Sequence, residues 1–344
     1  MKTICFQGVI DGAWSLGRVG RRVLTHLMNR RDYQAYFYPV DKYYTPEQWS
    51  AKIRKIITRT PWELDLDRSF QFCSVLRARQ KRVARLMTAW HFYEFSTLPA
   101  KIAEDINSSD HFYVTSSFVM RVFSEHGVTV PMTVVGHGFD PKYYQYKPRV
   151  PGEEFVFLCV AEHTTRKNLP MLIRCFEAAF HHNENVRLVL KLGLHGVGDL
   201  RAHISQPGKV KLHTRQLADE SKLAALYQNA HCFVLPTRAE GFGMPMLEAM
   251  ATGLPVIVTN YSGHLDFCVA ETSFLVSSKG LVDCDAESFP YIKSQWAEPD
   301  EEHLVELMRH VYNNYDHAQV VARRAAETVH QHWTWEAQLV HLFP

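Results

Sequence analysis

Two carboxylates, Glu240 and Glu248, flank a glycine-rich stretch in the segment TRAEGFGMPMLEAMATGLPVIVTN at residues 237–260. A carboxylate accepts two hydrogen bonds from neighbouring hydroxyls of a ribose or a hexose. Between the two acids, Gly241, Phe242 and Gly243 lead into a helix expected over about residues 244–252. Pro245 suits its first turn, where a missing N–H costs nothing, and Gly253 suits its C-terminal cap. Free backbone amides and the helix dipole at such a start favour an anion, and glycine lets a ligand come close to the chain. Residues 241–244 are therefore an expected phosphate cradle with a carboxylate on either side, which fits a sugar at each end of a diphosphate. The plainer reading is a strand-to-helix turn with one loop acid and one helix-surface acid.

Upstream, Arg166 and Lys167 stand in EHTTRKNLP just before another expected helix. Two cations there would stabilise negative charge gathering on a departing phosphate group; without a ligand such a pair is simply solvated. No nucleophile and base pair is evident anywhere in the chain.

These residues need a scaffold. Apolar strands alternate with amphipathic helical segments in both halves, the pattern of parallel sheets wrapped by helices. Strands are expected at residues 3–7, 33–38, 111–115, 133–135, 155–160, 187–191, 210–213, 232–235 and 256–259. The hydrophilic stretch 141–154, with Pro148, Pro151 and Gly152, reads as a hinge, and residues 300–343 read as helical throughout. The expected organisation is an N-terminal domain at 1–145, a second domain at 150–325 and a terminal helix at 326–344. In doubly wound sheets a ligand sits beyond the carboxyl ends of the strands.

The 344 residues suffice for two cores, and 46% hydrophobic with 22% charged is a globular balance. No apolar run reaches the ~18 residues of a membrane span, so a cytoplasmic location is expected. Seven isolated cysteines without C-x-x-C argue against a disulfide framework or a zinc site, and the 19 histidines lack metal-ligand spacing. No metal site is expected: two D-x-D strings, at residues 65–67 and 283–285, are too short to be specific. Net charge is only +2, but residues 52–85 hold ten Lys/Arg against three acids. That run suits an anionic partner such as a membrane leaflet, a phosphorylated lipid carrier or an acidic polysaccharide, and equally a solvated helical face. Nucleic acid is not expected, because no binding module accompanies the charge.

The string E-G-F-G-x-P-x-x-E followed by A-M-A-x-G-x-P-V-I resembles the donor-site signature of glycosyltransferase family 4, retaining enzymes of the GT-B fold. That resemblance implies an α/β protein of two doubly wound Rossmann-like domains facing across a cleft, its terminal helix crossing back onto the first. Its substrates would be a UDP- or GDP-linked sugar and a glycan or lipid-linked acceptor, without cofactor or metal, and transfer would proceed by front-face attack. It assigns Glu248 to the ribose, Glu240 to the donor sugar, Arg166 and Lys167 to the diphosphate, and Gly241, Phe242, Gly243 and Met244 to the phosphate cradle. KVKLHTRQL resembles the segment whose backbone reads the base, at His213, Thr214, Arg215 and Gln216. SLGRVGRRVL resembles the N-terminal glycine loop, putting Gly17 near the sugar phosphate and Arg18 on the acceptor side. His91 and Glu94, in TAWHFYEF, fall where relatives contact donor hexose or acceptor, although the local pattern departs from the commoner H-x-H form. A histidine beside Trp90 and Phe92 can equally be a packed core residue.

Other classes fit less well. Residues 11–20 lack the G-x-G-x-x-G of a nicotinamide dehydrogenase. A pyridoxal-dependent phosphorylase would need a Schiff-base lysine that is not identifiable, and a sugar-nucleotide epimerase could reuse the same cleft. A non-catalytic scaffold would be expected to have lost Glu240, Glu248 or the Arg-Lys pair; all four are present.

Overall fold

The computed structural model describes residues 1–11, 15–40, 49–58, 60–72, 82–150, 152–193, 197–215, 217, 219–284 and 292–343. The chain divides into two compact units: Met1–His137 with Gln338–Pro344, and Gly138–Ala337.

In the first unit six short apolar strands pair in parallel. They are β1 (Lys2–Gly8), β2 (Tyr33–Pro39), β3 (Arg68–Phe72), β4 (Leu86–His91), β5 (His111–Val114) and β6 (Met132–Val134), in the order β2-β1-β3-β4-β5-β6. Helices α1 (Ser15–Asn29), α2 (Ala51–Lys55), α3 (Ala100–Asn107) and α4 (Ser117–Glu125) connect them. Covered on both faces, the sheet buries Phe6, Phe37, Phe70, Phe72, Trp90 and Phe112 completely, the near-continuous apolar content expected of parallel strands.

The second unit repeats the plan with β7 (Phe155–Ala161), β8 (Val186–Leu192), β9 (Val210–His213), β10 (Cys232–Leu235), β11 (Val256–Thr259) and β12 (Phe274–Val276), in the order β12-β11-β10-β7-β8-β9. Its helices are α5 (Leu169–Ala179), α6 (Val197–Arg201), α7 (Glu220–Gln228) and α8 (Met244–Ala251), then α9 (Glu301–Asn313) and α10 (Tyr315–His332); α11 (Trp335–Leu342) starts in this unit and belongs to the first from Gln338 onward. An antiparallel pair, β13 (Ser278–Asp283) and β14 (Gln295–Pro299), stands outside the main sheet.

Each of the nine expected strand windows overlaps an observed strand. Strands β3, β4, β12, β13 and β14 were not expected. Arg68 and Gln71 give β3 a polar look, yet both are buried. The Arg68 guanidinium donates to the Leu342 carbonyl at 2.8 Å and to Thr88 Oγ1 at 3.1 Å, and it lies 5.1 Å from the Phe343 ring centroid. The basic run 52–85 is thus no single surface. Arg68 is interior, Arg82 pairs with Asp110, and Arg85 pairs with Asp65 and Asp67. Lys52, Arg54 and Lys55 remain as an exposed group on α2, while Arg59, Arg77, Arg79 and Lys81 lie outside the described residues.

Three other expectations change. The division between the units falls at His137 and Gly138, ahead of the 141–154 stretch. Within that stretch Arg149 is buried and donates to the carbonyls of Ala230, Lys147, Thr252 and Tyr227, so at this point the chain is fastened into the second unit. The C-terminal segment is not one helical run: it breaks at Asn314 and again at residues 333–334, where Thr334 bridges to Phe139. SLGRVG is not a loop; it forms the first turns of α1. Gly20 there lets the helix close on the end of the first strand, since a Cβ on it would lie 1.9 Å from the Val9 carbonyl oxygen.

Candidate functional site

The order of the second sheet reverses between β7 and β10, and a doubly wound sheet binds its ligand in the crevice beyond the carboxyl ends of strands at such a point. The loops leaving those two strands carry Arg166 and Lys167 after β7 and Glu240 after β10. Residues 74 positions apart in sequence thus meet because the topology sets their strands side by side.

Glu240 binds both cations. Its Oε2 accepts from Arg166 Nη1 at 3.1 Å and its Oε1 from Lys167 Nζ. All three side chains are largely buried. Burial alone would raise the Glu240 pKa, but Lys167, then Arg166, outweigh it and hold the carboxylate down to about 2. Two cations to one anion leave a positive excess, which suits an incoming diphosphate.

The cations ride on a short turn. Thr165–Lys167 forms one 3-10 turn, and Asn168, left-handed at φ 55°, links it to α5, where Pro170 occupies the first turn. Across from it, α8 starts at Met244 with Pro245 in its first turn and stops at Thr252 before Gly253 (φ 77°), as its sequence predicts. Gly243 has φ 103°, and a Cβ there would lie 2.9 Å from His264 Cβ, so both conformation and space require glycine. The side chain of Phe242 packs into an aromatic cluster with Phe267 and Trp333 at 5.1 and 5.5 Å, which anchors the 241–243 loop.

Ser262 and His264 were not singled out from the sequence. Ser262 adopts φ 79°, ψ −159°, a region nearly reserved for glycine, and strain of this kind concentrates at ligand sites. Its Oγ accepts from the Glu240 amide at 2.7 Å, while the Gly263 amide donates to the Glu240 carbonyl at 2.9 Å. His264 is fully buried, with Nε2 2.7 Å from the Thr259 carbonyl. A carbonyl only accepts, so Nε2 carries the proton, and Nδ1, also buried, has no hydrogen-bond partner among the described residues. Burial holds this imidazole below its usual pKa. The available signal was positional: the loop leaves β11, the neighbour of β10.

Glu248, on α8, is buried rather than on the helix surface, and its Oε2 accepts from Tyr227 Oη at 2.9 Å. Tyr227 was also unforeseen. The remaining residues of the resemblance are scattered more widely. His213 ends β9 half-buried, Thr214 is half-buried, Arg215 is exposed, and Gln216 lies outside the described residues. In the first unit Gly17 is buried within α1, Arg18 and Glu94 are half-buried, and His91 is wholly buried at the end of β4. The His91 ring stands edge-on to Phe112 at 4.9 Å, and burial pulls its pKa down to about 3. That burial matches the packed-histidine alternative.

Residues 154–288 match a family model described as "Glycosyl transferases group 1". The capsular polysaccharide biosynthesis glycosyltransferase CapM of Staphylococcus aureus is 31% identical over 131 residues, 36% of this chain and 33% of CapM. The GDP-mannose:cellobiosyl-diphosphopolyprenol alpha-mannosyltransferase of Xanthomonas campestris is 25% identical over 161 residues, 46% of this chain and 42% of that protein. The match to CapM thus spans about a third of that relative. Among solved structures, the sucrose-phosphate synthase of Thermosynechococcus elongatus superposes with TM-score 0.72 at 16% identity, covering 99% of this chain and 97% of the other. Anabaena HepE in complex with UDP and glucose gives 0.73 at 14% identity, with 99% and 98% covered. These likenesses establish the GT-B fold, two parallel sheets each flanked by helices.

Proposed function

We propose that this chain, whose residues 154–288 match the glycosyl transferases group 1 model, moves a hexose from a UDP- or GDP-linked sugar to a glycan or lipid-linked acceptor. The observation that carries this reading is the cluster of Arg166, Lys167 and Glu240 at the point where the second sheet reverses order. In it the two cations bind the donor diphosphate and stabilise the charge that builds up as the nucleotide departs. That neutralisation replaces a divalent metal, and no cofactor is required.

Glu240 holds the cations in place before the donor arrives. Phosphate oxygens then take over as counter-charge, leaving the carboxylate to accept from hydroxyls of the sugar. Gly241, Gly243 and Met244 offer amides at the start of α8, and Glu248, fixed by Tyr227, accepts from the ribose. His213, Thr214 and Arg215 border the base. The donor phosphate itself takes the acceptor proton in a front-face attack, which retains the anomeric configuration. HepE has been solved with UDP and the Xanthomonas relative is named for GDP-mannose, which supports either base. Exposed Lys52, Arg54 and Lys55 on α2 suit an anionic lipid-linked acceptor or the leaflet around it, at about 1 kcal/mol per residue near an anionic surface. Among the described residues no helix is long and apolar enough to cross a membrane.

The test is turnover of UDP- and GDP-hexoses with excess chelator, reading the anomeric proton of the product by NMR. An α-linked product from an α-linked donor is expected. An inverted product contradicts front-face attack, and metal-dependent turnover contradicts the role given to the two cations.

A further inference from the structure

The turn that carries Arg166 and Lys167 is braced from behind by a second charged pair. Arg238 and Glu298 form a fork: Nε to Oε2 at 2.6 Å and Nη2 to Oε1 at 3.0 Å. The third guanidinium contact, from Nη1, goes to the Thr165 carbonyl at 2.6 Å, and the Arg238 amide donates to the Arg166 carbonyl at 2.8 Å. Asn168, whose left-handed conformation ends the same turn, reaches Glu298 Oε1 at 3.5 Å. Glu298 is held by β14: the neighbouring Ala297 amide donates to the Arg238 carbonyl at 3.1 Å, and buried Trp296 lies 6.0 Å from the guanidinium. Both carbonyls of the turn ahead of Lys167 are therefore tied to Arg238, which is fixed by a carboxylate outside the 154–288 family match.

We propose that Arg238 and Glu298 are positioning residues for the diphosphate site. They touch no ligand; they set the height and orientation of the turn that presents Arg166 and Lys167, and so make binding of the second phosphate depend on the β13–β14 hairpin. The guanidinium is suited to this because its planar fork satisfies the carboxylate through two donors and still has one for the turn; lysine has no such geometry. The inference rests on the assignment of Arg166 and Lys167 to the donor diphosphate.

The test is calorimetric titration of the full chain with nucleoside diphosphate and nucleoside monophosphate of the base that the wild type prefers. Glu298→Gln and Arg238→Lys are compared with wild type and Lys167→Ala, each shown to be folded by thermal unfolding. Glu298→Gln is expected to weaken diphosphate binding about tenfold, equal to about 1.4 kcal/mol, and to leave monophosphate binding within about twofold. Arg238→Lys should behave alike. A merely structural role would weaken both ligands together, and that result overturns the proposal. Diphosphate binding at the wild-type level in Glu298→Gln overturns it as well. If Lys167→Ala loses diphosphate affinity while Glu298→Gln does not, only the positioning role falls. If Lys167→Ala also binds as wild type, the donor-site assignment falls and the positioning role with it.

Discussion

The two six-stranded sheets follow one plan but differ in what their carboxyl ends present. In the second unit three charged side chains from the ends of two strands already meet at Glu240, and a strained serine, a left-handed glycine and a buried histidine hem them in. In the first unit the corresponding candidates form no such cluster: Gly17 lies inside a helix, Arg18 and Glu94 are half-buried, and His91 is wholly buried. The contrast teaches where preorganisation is needed. A highly charged diphosphate demands fixed cations in a site of low dielectric constant, since mobile ones would have to be ordered at the moment of reaction. Under the proposed function, the acceptor would be read instead by loops, which vary freely on a constant scaffold.

Glu240→Ala breaks the comparison most severely. It removes the group assigned to the sugar while leaving both cations, so transfer is expected to fall by about 10²–10³ in kcat/KM, in the range for losing one preorganised electrostatic contact. Diphosphate affinity should be kept or strengthened. A variant that loses both equally would show that Glu240 only positions the cations.

Two glycines sharpen the same contrast. Gly20→Ala places a Cβ 1.9 Å from the Val9 carbonyl oxygen and is expected to cost about 3 kcal/mol, the upper end for overpacking. Chemical denaturation of the variant should show that loss, with nucleotide affinity unchanged in the folded protein. Gly243→Ala meets a φ of 103° and is expected to cost about 1–2 kcal/mol for strained backbone, together with measurable loss of diphosphate binding. Equal loss of nucleotide affinity in both variants would contradict the assignment of phosphate binding to α8.

A smaller effect comes from pH. The ordinary histidine pKa of 6.5 is lowered to about 3 for His91 by burial, so between these values the unfolded chain takes up a proton that the folded chain refuses. Stability from this group is therefore complete above pH 6.5 and falls as pH drops, by about 1.4 kcal/mol per pH unit. His91→Gln should flatten the loss of stability between pH 6 and 5 by about that slope. Glu240 has the usual carboxylate sign: its lowered pKa supplies stability that is present above 4.5 and is lost as pH falls toward 2. An unaltered slope in His91→Gln would show that His91 is not held neutral in the core.

The second unit's site was more legible in the sequence because its chemistry is written locally. Glu240, Gly243, Pro245 and Glu248 fall within one turn and one helix, and helix rules fix their placement. What was missed depends on distant pairing. Glu298 follows Arg238 by 60 positions, and no local pattern connects them. Strand β3 was hidden because Arg68 and Gln71 look exposed until the neighbouring strands and the returning chain end bury them. Hairpin β13–β14 was hidden because its first strand is exposed throughout and kinked at Gly280 (φ 121°), so it has no apolar alternation to read.

Whether Arg166 and Lys167 bind the donor diphosphate is decided by titrating Lys167→Ala against wild type with a nucleoside diphosphate and the matching monophosphate, in the presence of chelator. Wild type is expected to prefer the diphosphate without metal, and Lys167→Ala to lose this preference while still binding the monophosphate. An undiminished preference in a folded Lys167→Ala protein would contradict it, and the diphosphate would have to be bound elsewhere.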